Sequence, residues 1–176
     1  MKITDLLDKP TLEKLLTVHS DLALRMVTVY DRMYQEHGRI MRCTYAYRTF
    51  EEQEKLYAQG RTAPGPIVTY SQPGFSWHNF GLAVDSCFRS KTDPYLAQDP
   101  DKDKLWSAFG SICRQEGLRW GGDFQIGQQD PPHAQITYNM TMPVARDIYK
   151  RVGISGLWTR IDTDYLPKFR IQEKMH

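Results

Sequence analysis

The stretch "SWHNFGLAVD" (residues 76–85) places His78 and Asp85 seven positions apart, with Gly81 between them. The glycine makes a single helix unfavourable and allows the chain to turn sharply between a loop and a following strand. Two interpretations are open. The segment is either a loop histidine followed by a strand that carries a charge, or part of a metal site. The rest of the chain decides between them.

Length and composition describe an ordinary globular chain. It has 176 residues, of which 40% are hydrophobic, and its formal net charge is +2. This length is sufficient to bury a core, so we expect one domain spanning residues 1–176. We also expect a monomer. The near-neutral charge lacks the basic signature of nucleic-acid-binding proteins. No apolar stretch is long enough to serve as a membrane anchor.

The N-terminal sequence bears on localisation. Asp5, Asp8 and Glu13 lie where a secretory signal peptide requires an uninterrupted apolar segment. We therefore expect the protein to be made in the cytoplasm and to stay there until another factor releases it.

Hydrophobic periodicity and turn residues predict a mixed fold. The predicted helices span residues 20–38 (with Ser20 as N-cap), 49–60 (with a Thr49–Glu52 capping box), 103–117 and a last segment from Thr141 to Gly153. Strands are predicted at 40–48, 82–88, from 118, and at 134–138. The helices and strands do not strictly alternate. This order favours an α+β fold in which helices flank a small antiparallel sheet, with the site at loop and strand ends.

Two histidines, His78 and His133, each lie in a Gly/Pro-rich connection beside a predicted strand. If they converge with Asp85, two imidazoles and one carboxylate form a three-ligand set, which leaves the fourth position of zinc open to water. Asp130 precedes His133 across Pro131-Pro132, and a carboxylate so placed can accept a proton from the attacking water. The alternative is that these residues are unrelated polar groups of loops and strand ends.

The cysteines argue against a thiolate site. Cys43, Cys87 and Cys113 are scattered and form no CxxC pair, which predicts reduced thiols rather than a disulfide framework. Cys87 lies two residues after Asp85 and would share its face of a strand. A fourth, thiolate ligand from Cys87 is therefore an alternative, although it would close the open metal position.

A family resemblance favours the metal site. "SWHNFGLAVD" matches the SxHxxGxAxD pattern of the zinc peptidases that cleave bacterial cell-wall peptides, among them D-alanyl-D-alanine carboxypeptidases and phage L-alanyl-D-glutamate endopeptidases. The segments "YRTFEEQEKLYAQGRTAPGPIVT" (47–69) and "WGGDFQIGQQDPPH" (120–133) resemble the family's upstream and downstream segments. The resemblance covers about half of the chain, in the expected order.

The resemblance implies a role for each matching residue. His78, Asp85 and His133 would bind Zn²⁺, and Asp130 would be the catalytic base. Arg48 would stabilise the scissile carbonyl as it becomes an oxyanion. Ser76, and also Gln53, would contact the substrate, although Gln53 could instead face solvent from its helix. Trp77, Phe80 and Trp120 could line a cleft or simply pack.

The same resemblance implies a function. Asp130 to His133 spell the D-x-P-H pattern of phage endopeptidases, although Ala134 replaces the aromatic residue that usually follows. We therefore expect a zinc metallopeptidase that hydrolyses the stem peptide of peptidoglycan, as an L-alanyl-D-glutamate endopeptidase in the manner of a phage endolysin. The alternatives are a D-alanyl-D-alanine carboxypeptidase and a non-catalytic zinc protein that binds wall peptides or serves as a phage structural part.

Overall fold

A computed structural model describes residues 6–89 and 102–173. In chain order its helices and strands are α1 (Lys9–Leu15), α2 (Ser20–His37), β1 (Met41–Tyr45), α3 (Phe50–Ala58), β2 (Ala83–Phe88), α4 (Lys102–Gln115), β3 (Arg119–Trp120), β4 (His133–Gln135), α5 (Met142–Arg160) and α6 (Leu166–Glu173). Short 3-10 turns cover Trp77–Phe80 and Gly121–Asp123, and a π-helical segment, Ile161–Tyr165, joins α5 to α6. No helix among the described residues is both long and apolar enough to cross a membrane.

The chain forms two compact units, each built from two stretches of sequence. The first comprises Met1–Ala46 and Ala83–Ile136, and the second comprises Tyr47–Leu82 and Thr137–His176. The prediction of one domain over residues 1–176 stays a prediction.

The first unit contains the sheet. Its four strands lie in the order β1-β2-β4-β3, and every neighbouring pair is antiparallel. Helices α1 and α2 pack on β1, and α4 packs on both α2 and β3. The predicted α+β class, with a small antiparallel sheet and flanking helices, is confirmed.

The core of this unit contains apolar side chains from one face of α2 and one face of α4. On α2 the buried apolar side chains are those of Leu22, Met26, Val29, Tyr30 and Met33, and on α4 they are those of Leu105, Trp106, Phe109, Ile112 and Cys113. Each fully buried side chain of this size stabilises the fold by about 1.5–3 kcal/mol. A hydrogen bond of 2.7 Å between the hydroxyls of Tyr30 and Ser86 joins α2 to β2.

Strand β1 carries a β-bulge opposite a predicted ligand. Cys43 pairs with Ser86 and Tyr45 pairs with Asp85, so Thr44 is the extra residue in β1. Bulges bend a strand locally and are common beside functional sites, where they alter the direction of a side chain.

The second unit contains α3, the loop after it, the 3-10 turn Trp77–Phe80 and the C-terminal helices. The predicted capping box is confirmed: Thr49 Oγ1 accepts from Glu52 N, and the Glu52 carboxylate accepts from Thr49 N. Phe50 stacks on Tyr149, with ring centroids 4.7 Å apart, which joins α3 to α5. The tail packs within this unit, because Trp158 Nε1 donates to Phe80 O at 2.9 Å and Leu157 is fully buried.

Several predicted boundaries are wrong. His19, not Ser20, caps α2, because an imidazole nitrogen can also accept the Asp21 N–H, here at 3.3 Å. Helix α3 ends at Ala58, two residues before Gly60. Gly153 adopts φ 69° and breaks the last helix, but the chain resumes helical geometry and α5 extends to Arg160.

Other elements are shorter than predicted or were missed. Strand β4 ends at Gln135, because Tyr138 and Asn139 adopt positive φ angles that a strand cannot continue through. Strand β1 ends at Tyr45, whereas the predicted strand extended to residue 48. Helix α1, with Asp8 as its N-cap, was not predicted.

The cysteines provide a test of the core. All three are free thiols, and Cys43 and Cys113 are fully buried. Burial raises the pKa of Cys43 to about 12 and also raises the pKa of Cys113. Because the thiolate is the reactive form, iodoacetamide at pH 8 is expected to leave both residues unmodified in the native protein and to modify all three cysteines in denaturant. Mass spectrometry of the digested protein measures this, and rapid native modification of Cys43 or Cys113 would contradict the placement.

Candidate metal and catalytic site

Asp85 and His133 are cross-strand neighbours. They pair in the antiparallel register of β2 and β4, where side chains of opposed residues lie on the same face. His133 Nδ1 lies 3.0 Å from Asp85 Oδ1, and the two side chains are only 10% and 19% exposed. The register of the sheet therefore places one imidazole and one carboxylate side by side in a largely buried position.

Both nitrogens of the His133 ring have oxygen neighbours. On the side opposite Asp85, His133 Nε2 donates to Gln135 Oε1 at 2.9 Å. Burial lowers the pKa of His133, but the hydrogen bond and charge of Asp85, the bond to Gln135 and the charge of Asp130 together raise it. The net effect is a raised pKa, so a proton and a metal ion would compete for this ring.

His78 lies in the 3-10 turn Trp77–Phe80, which follows Ser76. Gly81 ends the turn with φ 65°, which confirms that a glycine reverses the chain here. A Cβ on Gly81 would lie 2.6 Å from the Trp158 ring, so both conformation and space exclude a side chain. The carbonyl of His78 accepts from Gly81 N at 3.2 Å and from Arg48 N at 3.1 Å, so the turn is fixed from two directions.

Asn79 organises this turn, and sequence reasoning missed it. The residue is fully buried. Its Oδ1 accepts from Gly74 N at 3.0 Å, and its Nδ2 donates to Arg48 O at 2.9 Å. One amide thus joins the loop before the turn to the segment that carries Arg48. Asn79 occupies an unspecified position (x) of the SxHxxG pattern, so the pattern gives no indication of this hydrogen-bond network.

The three predicted ligands form a group that could hold a metal ion. His78, Asp85 and His133 each offer one ligand atom, and these atoms all lie within 4.8 Å of one another. His78 and His133 are buried and Asp85 is half-buried. Among the described residues Cys87 does not belong to this group, so a thiolate fourth ligand gains no support.

The loop that carries Asp130 is tied closely to the start of β4. Asp130 N donates to Gly121 O, and Asp130 O accepts from His133 N, both at 3.0 Å. A Cβ on Gly121 would lie 2.2 Å from Asp130 O and 2.8 Å from the Cβ of His133. Gly121 is therefore required for this close approach. The Asp130 residue itself is exposed.

Trp120 braces the same loop. Its Nε1 donates to Pro131 O at 2.8 Å. Added Cβ atoms on Gly110 and Gly122 would come within 2.3 Å and 2.2 Å of its ring, so glycines occupy the space on both sides. The indole thus packs, as one of the two sequence interpretations held, and in packing it fixes the connection between Asp130 and His133.

Arg48 and Gln53 interact directly within the second unit. Arg48 Nη1 donates to Gln53 Oε1 at 3.0 Å, and Gln53 Nε2 donates to Ser71 O at 2.7 Å. Gln53 is fully buried, so the alternative that it faces solvent is wrong. Ser76 is half-buried and its side chain does not cap the turn. Phe80 is fully buried and therefore packs, whereas Trp77 remains half-buried.

The sequence comparisons agree with this geometry. Residues 69–136, which contain all three ligands and Asp130, match the family model described as D-alanyl-D-alanine carboxypeptidase. The chain is 38% identical over 102 residues to the peptidoglycan L-alanyl-D-glutamate endopeptidase CwlK of Bacillus subtilis (strain 168). That alignment covers 54% of this chain and 60% of CwlK, so the chain spans less than two thirds of this relative. The predicted resemblance to the zinc peptidases of cell-wall peptides is confirmed.

Solved structures share the fold. The LdcB LD-carboxypeptidase superposes with a TM-score of 0.54 at 17% identity, covering 81% of this chain and 68% of that one. The Serratia marcescens L-Ala D-Glu endopeptidase ChiX gives a TM-score of 0.50 at 20% identity, covering 74% and 88%. At such identities the likeness concerns the fold alone.

Gly121 offers a test of the loop geometry. Gly121→Ala forces Asp130 or His133 to move, so we expect the free energy of unfolding to fall by about 1–3 kcal/mol, the usual cost of overpacking. Urea unfolding measures the change. Gln128→Ala, at an exposed position of the same loop, is the control and should be neutral. Equal stability of the Gly121 variant and the parent protein would contradict the close approach.

Proposed function

We propose that this chain is a zinc-dependent peptidase that hydrolyses the stem peptide of peptidoglycan between L-alanine and D-glutamate. The observation that carries the proposal is the convergence of His78, Asp85 and His133 within the segment that matches the peptidase family. The sequence identity with the L-alanyl-D-glutamate endopeptidase of Bacillus subtilis supports the choice of bond.

The donor set fits zinc. Two imidazole nitrogens and one carboxylate oxygen are ligands that zinc prefers, and three protein ligands with an open position are typical of its catalytic sites. The Asp85 carboxylate also offsets the positive charge of the ion in a largely buried position. Held by these three side chains, zinc would lower the pKa of a water molecule to about 7 and so would supply a nucleophile at neutral pH.

Asp130 is proposed as the general base. Its carboxylate lies close enough to His133 to raise the pKa of that ring, and it is exposed where water and substrate can reach it. In this role Asp130 accepts a proton from the attacking water and then donates it to the leaving amine. The backbone hydrogen bonds of Asp130 N and Asp130 O hold the main chain from which this carboxylate extends.

Arg48 is proposed to stabilise negative charge on the carbonyl oxygen of the bond that is cut. A guanidinium remains protonated at every relevant pH and acts without reorganising when it is already held in place. The bond from Arg48 Nη1 to Gln53 Oε1 holds one arm of the guanidinium. Gln53 therefore supports Arg48 in this proposal, and substrate contacts of Gln53 and Ser76 remain predictions.

The biological setting proposed is that of a phage endolysin, because Asp130–His133 spell D-x-P-H. A second activity is favoured by the description of the matching family model, namely D-alanyl-D-alanine carboxypeptidase. A non-catalytic wall-binding protein is the remaining alternative. Digestion of purified peptidoglycan distinguishes the three: a new D-glutamate amino terminus supports the proposal, free D-alanine supports the carboxypeptidase, and no cleavage supports the binding protein.

The metal ligands are tested by His78→Ala. Removal of one of three protein ligands should abolish stoichiometric zinc and hydrolysis together, because two ligands do not complete the site. Zinc is measured by mass spectrometry of the dialysed protein, and hydrolysis by the release of new amino termini. His37→Ala, at the exposed end of α2, is the matched control. A His78 variant that keeps one zinc per chain would remove His78 from the ligand set.

The base is tested by Asp130→Asn. The variant should keep its zinc and lose about 10²- to 10⁴-fold in turnover, the usual contribution of general-base help. The acidic limb of the pH profile should disappear with the carboxylate, whereas Arg48→Ala should lower turnover and leave that limb in place. Asp123→Asn, which breaks only an exposed ion pair with Arg114, is the control. Near-normal turnover of the Asp130 variant would exclude the role, and loss of its zinc would make Asp130 a ligand.

A further inference from the structure

The amide of Gln135 faces the His133 ring on the side away from Asp85. Gln135 Oε1 accepts from His133 Nε2 at 2.9 Å, and Gln135 is only 5% exposed. The two residues are two positions apart on β4, so their side chains lie on the same face of the sheet. This contact is therefore a direct product of the strand geometry.

The position of Gln135 in the sheet restricts its movement. Gln135 pairs with Ala83 of β2 on one side and with Arg119 of β3 on the other, so its backbone lies inside the sheet. Its side chain is the hydrogen-bond acceptor for one nitrogen of His133, while the other nitrogen lies 3.0 Å from Asp85 Oδ1. In the observed orientation, both ring nitrogens therefore lie within hydrogen-bond distance of an oxygen atom.

We propose that Gln135 is a positioning residue for the metal site. It retains the hydrogen on Nε2 of His133 and so presents Nδ1, beside Asp85, as the ligating nitrogen. This inference rests on the proposed function, because it assumes that His133 binds the ion. It assigns a role to a residue that neither the motif nor the ligand group contains.

The physical basis is the tautomer of the ring. A neutral histidine has one N–H and one lone pair, and the acceptor of the N–H decides which nitrogen is free to bind a metal. Loss of such an outer hydrogen bond typically lowers metal affinity by about 10- to 100-fold. A merely structural Gln135 would instead affect the stability of the metal-free protein and leave the zinc affinity unchanged.

The experiment compares three variants of the full chain. Gln135→Leu removes the acceptor at similar size, Gln135→Glu retains an acceptor, and Gln128→Leu makes the same apolar change at an exposed loop position. Competition with a chromogenic chelator measures the dissociation constant for zinc, and thermal unfolding of the metal-free protein measures stability. Nitrogen-15 NMR of the zinc-loaded protein shows which nitrogen of His133 carries the hydrogen.

The expected result is a 10- to 100-fold weaker zinc affinity for Gln135→Leu, wild-type or tighter affinity for Gln135→Glu, and no change for Gln128→Leu. The wild-type spectrum should show Nε2 of His133 protonated. Zinc affinity of a folded Gln135→Leu variant within twofold of wild type would overturn the inference. If that variant does not fold, a Gln135→Glu variant that binds zinc tenfold more weakly, or an unprotonated Nε2 in the wild type, would overturn it. If the wild type binds no zinc, the proposed metal site is wrong and the inference falls with it.

Discussion

The pairing of Asp85 with His133 across β2 and β4 is the constraint on which the site depends. The two residues lie in register in an antiparallel pair, and their side chains meet at 3.0 Å. A slip of one residue in either strand would turn one of these side chains to the opposite face. The register is held by buried residues of β2, and the bulge of β1 lies directly opposite Asp85. Formation of the sheet and formation of this part of the site are thus one event.

A second set of constraints acts on the backbone rather than on the side chains. Gly81 reverses the chain after His78, and Gly121 allows the Asp130 loop to approach His133. In both places a glycine is needed because a Cβ would collide with a ring or with a neighbouring backbone atom. Asn79 and Trp120 then hold the two segments by bonds to backbone carbonyls. Side-chain hydrogen bonds to backbone carbonyls therefore position the His78 turn and the Asp130 loop.

The sequence indicated candidate site residues more readily than it indicated the residues that support them. His78, Asp85, His133 and Asp130 stand out because they match a family pattern at its characteristic spacing. Asn79 and Gln135 carry no such signal, since an amide within a short strand or turn is equally compatible with solvent exposure. Their partners become apparent only when strand register and loop closure are known, and these depend on residues distant in the sequence.

The helices and strands also differ in how well the sequence predicted their positions and ends. Helices α2 and α4 and the capping box of α3 follow from patterns within one turn or a few turns of helix, and sequence reasoning identified them correctly. The predicted ends of β1, β4 and α5 were wrong: β4 stops before two residues with positive φ, and α5 resumes helical geometry after Gly153. Trp158 packs beneath the His78 turn through Gly81, a contact between residues far apart in the sequence.

The construction of the Asp130 loop has a consequence for protein engineering. Residues 125–129 are exposed, and no atom lies within 4 Å of a Cβ added to Gly127, whereas both ends of the loop are held by backbone hydrogen bonds between Gly121, Asp130 and His133. Chain closure depends only weakly on loop length, so insertions and randomised libraries can be placed at 125–129 while the fixed ends keep Asp130 in place. This segment carries none of the proposed metal ligands, which makes the short stretch the natural site for directed diversification.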